Sequence, residues 1–182
     1  ILDRTVERIL KVVFSYTDNR KAETVFDREK DHKAAAVIFL FSGSIGGAKK
    51  SKKLVDDFMT GIEEADTAKI VSLVDKECVA DNDVATLSSS FELLTSMGVE
   101  YSIDYKITST EKANRATIKN MCEGLYGDTS VASKVRCAYI CDVDYTMTIN
   151  YLGETETEDD KMSLICYKKG GKWYIGGTVE NE

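Results

Sequence analysis

Tyr101, Tyr105, Tyr139 and Tyr145 stand at even spacing in two runs that alternate apolar and polar residues, so each run carries its rings on one face. A phenol can donate a proton or accept a hydrogen bond, and its ring can stack on a flat ligand. With Trp173, these four residues are the candidate pocket lining of the chain. As proton donors they would need a base beside them, because a free phenol ionises only near pH ~10. The sequence offers none in the right place. Asp104, Asp142 and Asp144 fall on the opposite face of the same runs, and His32, the single histidine, lies in the charged stretch before the domain, where solvation is its expected state. With one histidine neither a Ser/His/Asp nor a Cys/His pair can be built in the domain, and there is no GxSxG or phosphate-binding loop. No catalytic residue is assigned.

Metal and cofactor chemistry find equally little. ETETEDD crowds oxygen atoms but lacks the alternating spacing and glycine of a calcium loop, and it is expected to be a solvated acidic turn. GSIGGA, residues 43–48, lacks the phosphate-loop pattern and is expected to be flexible. Cys78, Cys122, Cys137, Cys141 and Cys166 contain no CxxC pair, which speaks against zinc-ribbon and thioredoxin-type sites. They are expected to act as small buried hydrophobes. Neither a metal nor a cofactor is implied.

The elements that must position the tyrosines follow from periodicity. KKLVDDFMTGIEEAD sets Leu54, Phe58, Ile62 and Ala65 on one helical stripe, widened by Val55 and Met59. DTAKIVSLVD predicts a short helix capped by Asp66, and DVATLSSSFELLTSMG a third that stops at Gly98. The period then changes from 3.6 to 2. VEYSIDYKI is a half-buried strand, residues 113–126 predict a helix, and KVRCAYICDVDYTMTINY puts every second residue from Val135 to Tyr151 on one face. A strand that long must bend or be shared between partners. KMSLICYKK and KWYIGGTV, joined by Gly170 and Gly171, complete an antiparallel meander. The fold class is therefore α+β: a curved, mostly antiparallel sheet wrapped around helices on one face, with an extra N-terminal helical segment.

A chain of 182 residues with 43% apolar side chains can bury a core. The net charge of -7 lies wholly in residues 33–182, since residues 1–32 balance, and such a surface repels nucleic acid. Residues 1–32 predict a charged, amphipathic helical segment in which Val6, Ile9, Leu10, Val13 and Phe14 share a face. Residues 33–48 form an apolar, signal-like or anchor-like stretch, and residues 49–182 the domain. The fifteen uncharged residues between Lys33 and Lys49 are fewer than the roughly 20 a membrane helix needs, but fit the core of an export signal. LFSGS resembles a bacterial lipoprotein box, with Ser44 where that family carries the lipidated cysteine. The alternative for this stretch is a buried element of the domain.

The helical pair in LVDDFMTGIEEADTAKIVSLVD, the late trio of strands and the closing GGKWYIGG resemble the nuclear transport factor 2-like, or cystatin-like, cone fold. The resemblance covers roughly residues 49–182 and is closest to small extracytoplasmic members from Gram-positive bacteria. It implies a cone-shaped α+β domain, secreted or held at the cell envelope. Its enzymatic members, of the ketosteroid isomerase and scytalone dehydratase type, need an acid or histidine inside the cone. The expected function is accordingly a non-enzymatic module that binds an unknown protein or small ligand. A small-molecule isomerase or dehydratase using the tyrosines is the alternative. A cytoplasmic protein whose N-terminal helix docks on a partner or on its own domain is a third reading. Membrane attachment through the N-terminal region and a homodimer through the sheet are partner arrangements that the sequence leaves open.

Overall fold

A computed structural model describes residues 44–79 and 81–179. The N-terminal segment 1–32 and His32 lie outside the described residues, as does the apolar stretch as far as residue 43. Helix α1 spans Ser44–Glu63. Ser44 to Ala48 thus form the first turn of α1, where the sequence predicts a flexible stretch, and the helix starts ahead of the domain boundary expected near Lys49. Gly47 explains the local need for a small residue, because a β-carbon there would stand 2.6 Å from the ring of Tyr139. One turn later, buried Ser51 donates to the Gly47 carbonyl at 3.1 Å.

Val55, Phe58, Met59 and Ile62 recur at helical spacing along α1 and are almost completely buried. The chain then reverses through Ala65, held at φ 52°, and Asp66 caps α2, Thr67–Ser72, by accepting from the Lys69 N–H at 2.9 Å. A 3-10 turn, Lys76–Cys78, precedes α3, Asp81–Ser96, which Gly98 ends in the left-handed region at φ 70°. These helices are the ones the periodicity predicts.

Four strands follow in a single antiparallel sheet with the order β1-β2-β3-β4. They are β1 Glu100–Lys112, β2 Val135–Tyr151, β3 Glu154–Lys169 and β4 Lys172–Val179. The long β2 is shared along almost its whole length, by β1 on one side and β3 on the other, as its length requires. The α+β class and the curved sheet expected from the sequence are what the structure has.

Three expectations are corrected. The acidic run ETETEDD is strand, not turn. The reversal occurs one step earlier, at Leu152 (φ 51°) and Gly153 (φ 83°), and Glu154 to Asp160 pair residue by residue with Tyr151 to Tyr145. Val135 does not share a face with Tyr139, because the register slips between Val135 and Cys137 and the parity reverses. Helices also cover both faces of the sheet. Helix α4, Arg115–Tyr126, capped by Asn114, lies on the face opposite α1, where Ile118, Met121 and Cys122 pack with Ala138, Ile165 and Tyr167. The larger core sits on the α1 side, around Phe58, Met59, Leu87, Val143 and Leu164.

Candidate functional site

The inner, α1-facing side of the sheet holds the five residues expected to line a pocket. Tyr101 and Tyr105, on β1, lean onto α1: the Tyr101 hydroxyl donates to the Ile62 carbonyl at 2.5 Å, and the Tyr105 hydroxyl to Asp56 Oδ1 at 3.0 Å. Burial, with the charge of Glu63 behind it, pushes the Tyr101 phenol up to about 12. Burial and the bond to Asp56 bring Tyr105 to about 12 as well. Tyr145 donates across the sheet to Asp160 Oδ2 at 3.2 Å, and burial followed by the Asp160 charge raises it too. Tyr139 is 4% exposed and packs its ring 6.1 Å from that of half-buried Trp173.

Two pairs are therefore brought together, Tyr105 opposite Tyr145 in the β1–β2 register and Tyr139 beside Trp173. The register sets the pairs well apart along β2, so the five do not form one ring. Between them the inner face meets the apolar stripe of α1. Phenols raised in this way are weaker acids than free tyrosine; the Tyr101 and Tyr105 hydroxyls serve as struts between sheet and helix, and that of Tyr145 bonds within the sheet.

A carboxylate buried on the other side was not foreseen. Asp75, 6% exposed, leaves the segment after α2 and caps the 3-10 turn by accepting from the Glu77 N–H at 3.2 Å. Its Oδ2 accepts from Lys169 Nζ at 2.7 Å and from the Tyr126 hydroxyl at 2.7 Å. The Tyr126 and Tyr167 hydroxyls share a hydrogen bond of 2.6 Å, and Lys169 Nζ also reaches Glu77 Oε2 at 2.6 Å while lying 4.5 Å above the Tyr126 ring. Burial raises the Asp75 carboxyl, but the bonds from Lys169, Tyr126 and the Glu77 N–H outweigh it and hold the group below its ordinary range. Lys169 shows the mirror image: burial lowers it, the two carboxylates raise it more, and the net direction is up. Both phenols are raised by burial. Each charge already has its partners, so the arrangement locks the segment after α2, the end of α4 and the end of β3 together.

The far end of the sheet is built differently. An open groove of about 810 Å³ crosses β1, β2 and β3 beside Asp104, Lys106, Asp144, Asp159 and Lys161. Past it, β2 and β3 continue to the Leu152–Gly153 turn with β1 alongside β2 as far as Asn150, so this end of the sheet, the acidic arm of β3, has its open edge on the β3 side. Strand β4 is described as far as Val179, opposite Ser163, so Glu154–Lys161 have no strand on their other side among the described residues, and all eight are exposed. The register places Glu154, Glu156, Glu158 and Asp160 beside Tyr151, Ile149, Met147 and Tyr145 of the inner face. Further along the same strand and face come Met162, Leu164 and Cys166, all buried. Strand β3 is thus apolar where it is covered and acidic where it is bare.

Fold and site define a class, an α+β domain with a curved four-stranded antiparallel sheet, a packed inner face and an exposed acidic edge. Among solved structures, one similar chain is a ketosteroid isomerase-like protein from Erwinia carotovora atroseptica SCRI1043. It aligns with a TM-score of 0.49 at 9% identity, over 78% of this chain and 100% of that one. Another is the intermembrane space region of the chloroplast protein ARC6, with a TM-score of 0.44 at 9% identity, over 72% of this chain and 94% of that one. No protein-family profile matches the chain, and no curated protein matches it by sequence.

Proposed function

We propose that this domain is a non-enzymatic binding module, displayed outside the cytoplasm or at the cell envelope, that engages its partner with the open end of its sheet. The single observation carrying this reading is the acidic arm of β3: its eight residues Glu154–Lys161 are exposed throughout and have no strand on their far side among the described residues, yet are held in register by β2. An isomerase or dehydratase working through the tyrosines is the less favoured reading, since the Tyr101 and Tyr105 hydroxyls donate to α1 and burial pushes both phenols up to about 12. The extracytoplasmic address draws its support from the signal-like stretch before Lys49.

Site-specific photocrosslinking in the native host tests the reading. A benzophenone side chain at Thr157 on the arm is expected to capture another molecule, and one at exposed Lys119 on α4 is not. Equal labelling at the two positions, or none at either, refutes it. Protease treatment of intact cells tests the address: the domain should be cleaved without lysis, and full protection until lysis overturns that part.

A further inference from the structure

We propose that the edge of β3 over Glu154–Asp160, bare among the described residues, accepts an extended peptide segment with Lys or Arg at every second position, added to the sheet as a further strand; this rests on the reading of the domain as a binding module and names its partner's chemistry. An edge strand turns alternate N–H and C=O groups outward, and these are a template for another strand. Here the template is preformed. The arm is paired with β2 out to Tyr151 opposite Glu154, and its outer face is tied by Thr146 to Asp159 at 2.6 Å and by Thr155 to Asn150 at 2.6 Å. A rigid edge loses little conformational freedom on binding.

Charge then selects the occupant. Glu156, Glu158 and Asp160, continuing from Glu154, form a row at a repeat of roughly 7 Å, twice the strand rise. On the outer face, Lys161 is neutralised by Asp144 at 3.5 Å. A second copy of β3 laid on this edge would set acid against acid, so the row that guards against self-association also favours a strand bearing cations at the same two-residue period. A basic helix has the wrong repeat and cannot satisfy the outward backbone groups. The β1 edge is a poorer candidate: Asp104 and Lys106 give it mixed charge, and its inner tyrosines are already bonded to α1.

Fluorescence anisotropy with the full chain and a labelled octapeptide of alternating Lys and Thr/Val tests this. Three comparators are the same composition with the lysines grouped, a Glu-for-Lys version, and the alternating peptide with every backbone amide N-methylated, which keeps the charge but has no N–H to donate. The alternating peptide should bind at least about tenfold more tightly than any comparator, and Glu156→Lys/Glu158→Lys should weaken it about tenfold or more while flattening its salt dependence. Glu156→Gln/Glu158→Gln, which only removes charge, should weaken it several-fold, and circular dichroism reports whether either variant still folds. Equal binding of the N-methylated peptide means charge attraction without strand addition. Equal binding of the grouped peptide, unchanged binding by both variants, or no binding at all also overturns the inference. Each of these leaves the Thr157 crosslink standing as a separate test of the binding module itself.

Discussion

Replacing Lys169 by Met should destabilise the domain by about 3 kcal/mol, because it strands a buried carboxylate. The side chains of Lys169 and Asp75 are only 10% and 9% exposed, and their 2.7 Å contact is the sole ion pair that Asp75 makes among the described residues. Breaking a buried pair from one side costs roughly 3–5 kcal/mol, and the Tyr126 hydroxyl and Glu77 N–H that remain on Asp75 place this case at the lower end. Asp75→Asn leaves the lysine with Glu77 Oε2 at 2.6 Å and should cost less, about 2 kcal/mol. The double variant removes both charges together and should lose no more than about 3 kcal/mol, a coupling of about 2 kcal/mol. At roughly 3–4 °C per kcal/mol for a domain of this size, Lys169→Met melts about 10 °C early by circular dichroism. The pH dependence has a definite sign. The folded Asp75 carboxyl lies below its ordinary 3.8, so its contribution is present above that value and is lost as pH falls through the depressed folded value. The folded Lys169 lies above its ordinary 10.5, so its contribution is complete below 10.5 and fades only as pH rises through the higher folded value. Wild type should therefore keep the lock from about pH 4 to 10, and the deficit of Lys169→Met relative to wild type should shrink as pH falls and the stranded carboxyl takes up a proton. Strict additivity, with the double variant within about 0.5 kcal/mol of the summed singles, refutes the coupling on which the lock depends.

Gly47→Ala gains about 1 kcal/mol of helix propensity but drives a methyl into the Tyr139 ring at 2.6 Å, so a net loss of about 1–2 kcal/mol is expected in urea melts. In a Tyr139→Leu background the same change should be neutral or stabilising, and a loss as large as in wild type would count against the clash. Cys122, Cys141 and Cys166 are buried, whereas Cys78 and Cys137 are half-buried, and burial pushes Cys122 up to about 11. An aromatic disulfide reagent at pH 8 should therefore modify Cys137 first and reach all five thiols only in denaturant; rapid reaction of three or more in native protein would contradict the described core.

Periodicity reports which side chains meet their own chain, and the correct and incorrect expectations divide along that line. Tyr101, Ile103 and Tyr105, and Tyr139 through Ile149, alternate because one side of the sheet is pressed on α1, so their strands could be read directly. Val135 defeats the reading because a single register slip inverts every residue beyond it. Asp75, Tyr126, Tyr167 and Lys169 leave no local pattern, since their contacts bridge 41 to 94 residues of chain and each looks in sequence like an ordinary surface polar group. The α4 face was missed for a related reason: Ala138, Ile140 and Ile165 are the apolar residues of the other parity, and a strand buried on both sides shows little contrast between its faces. The acidic arm is the opposite extreme. Both faces of its β3 residues are polar and exposed, so Glu154 to Asp160 look like a turn until β2 is seen beside them. What hides the arm from sequence reading is that, on its far edge, the described chain supplies no neighbour. The same circumstance leaves β3 with backbone donors and acceptors facing outward, so the part of the fold least visible in the sequence is the part on which the proposed strand addition rests.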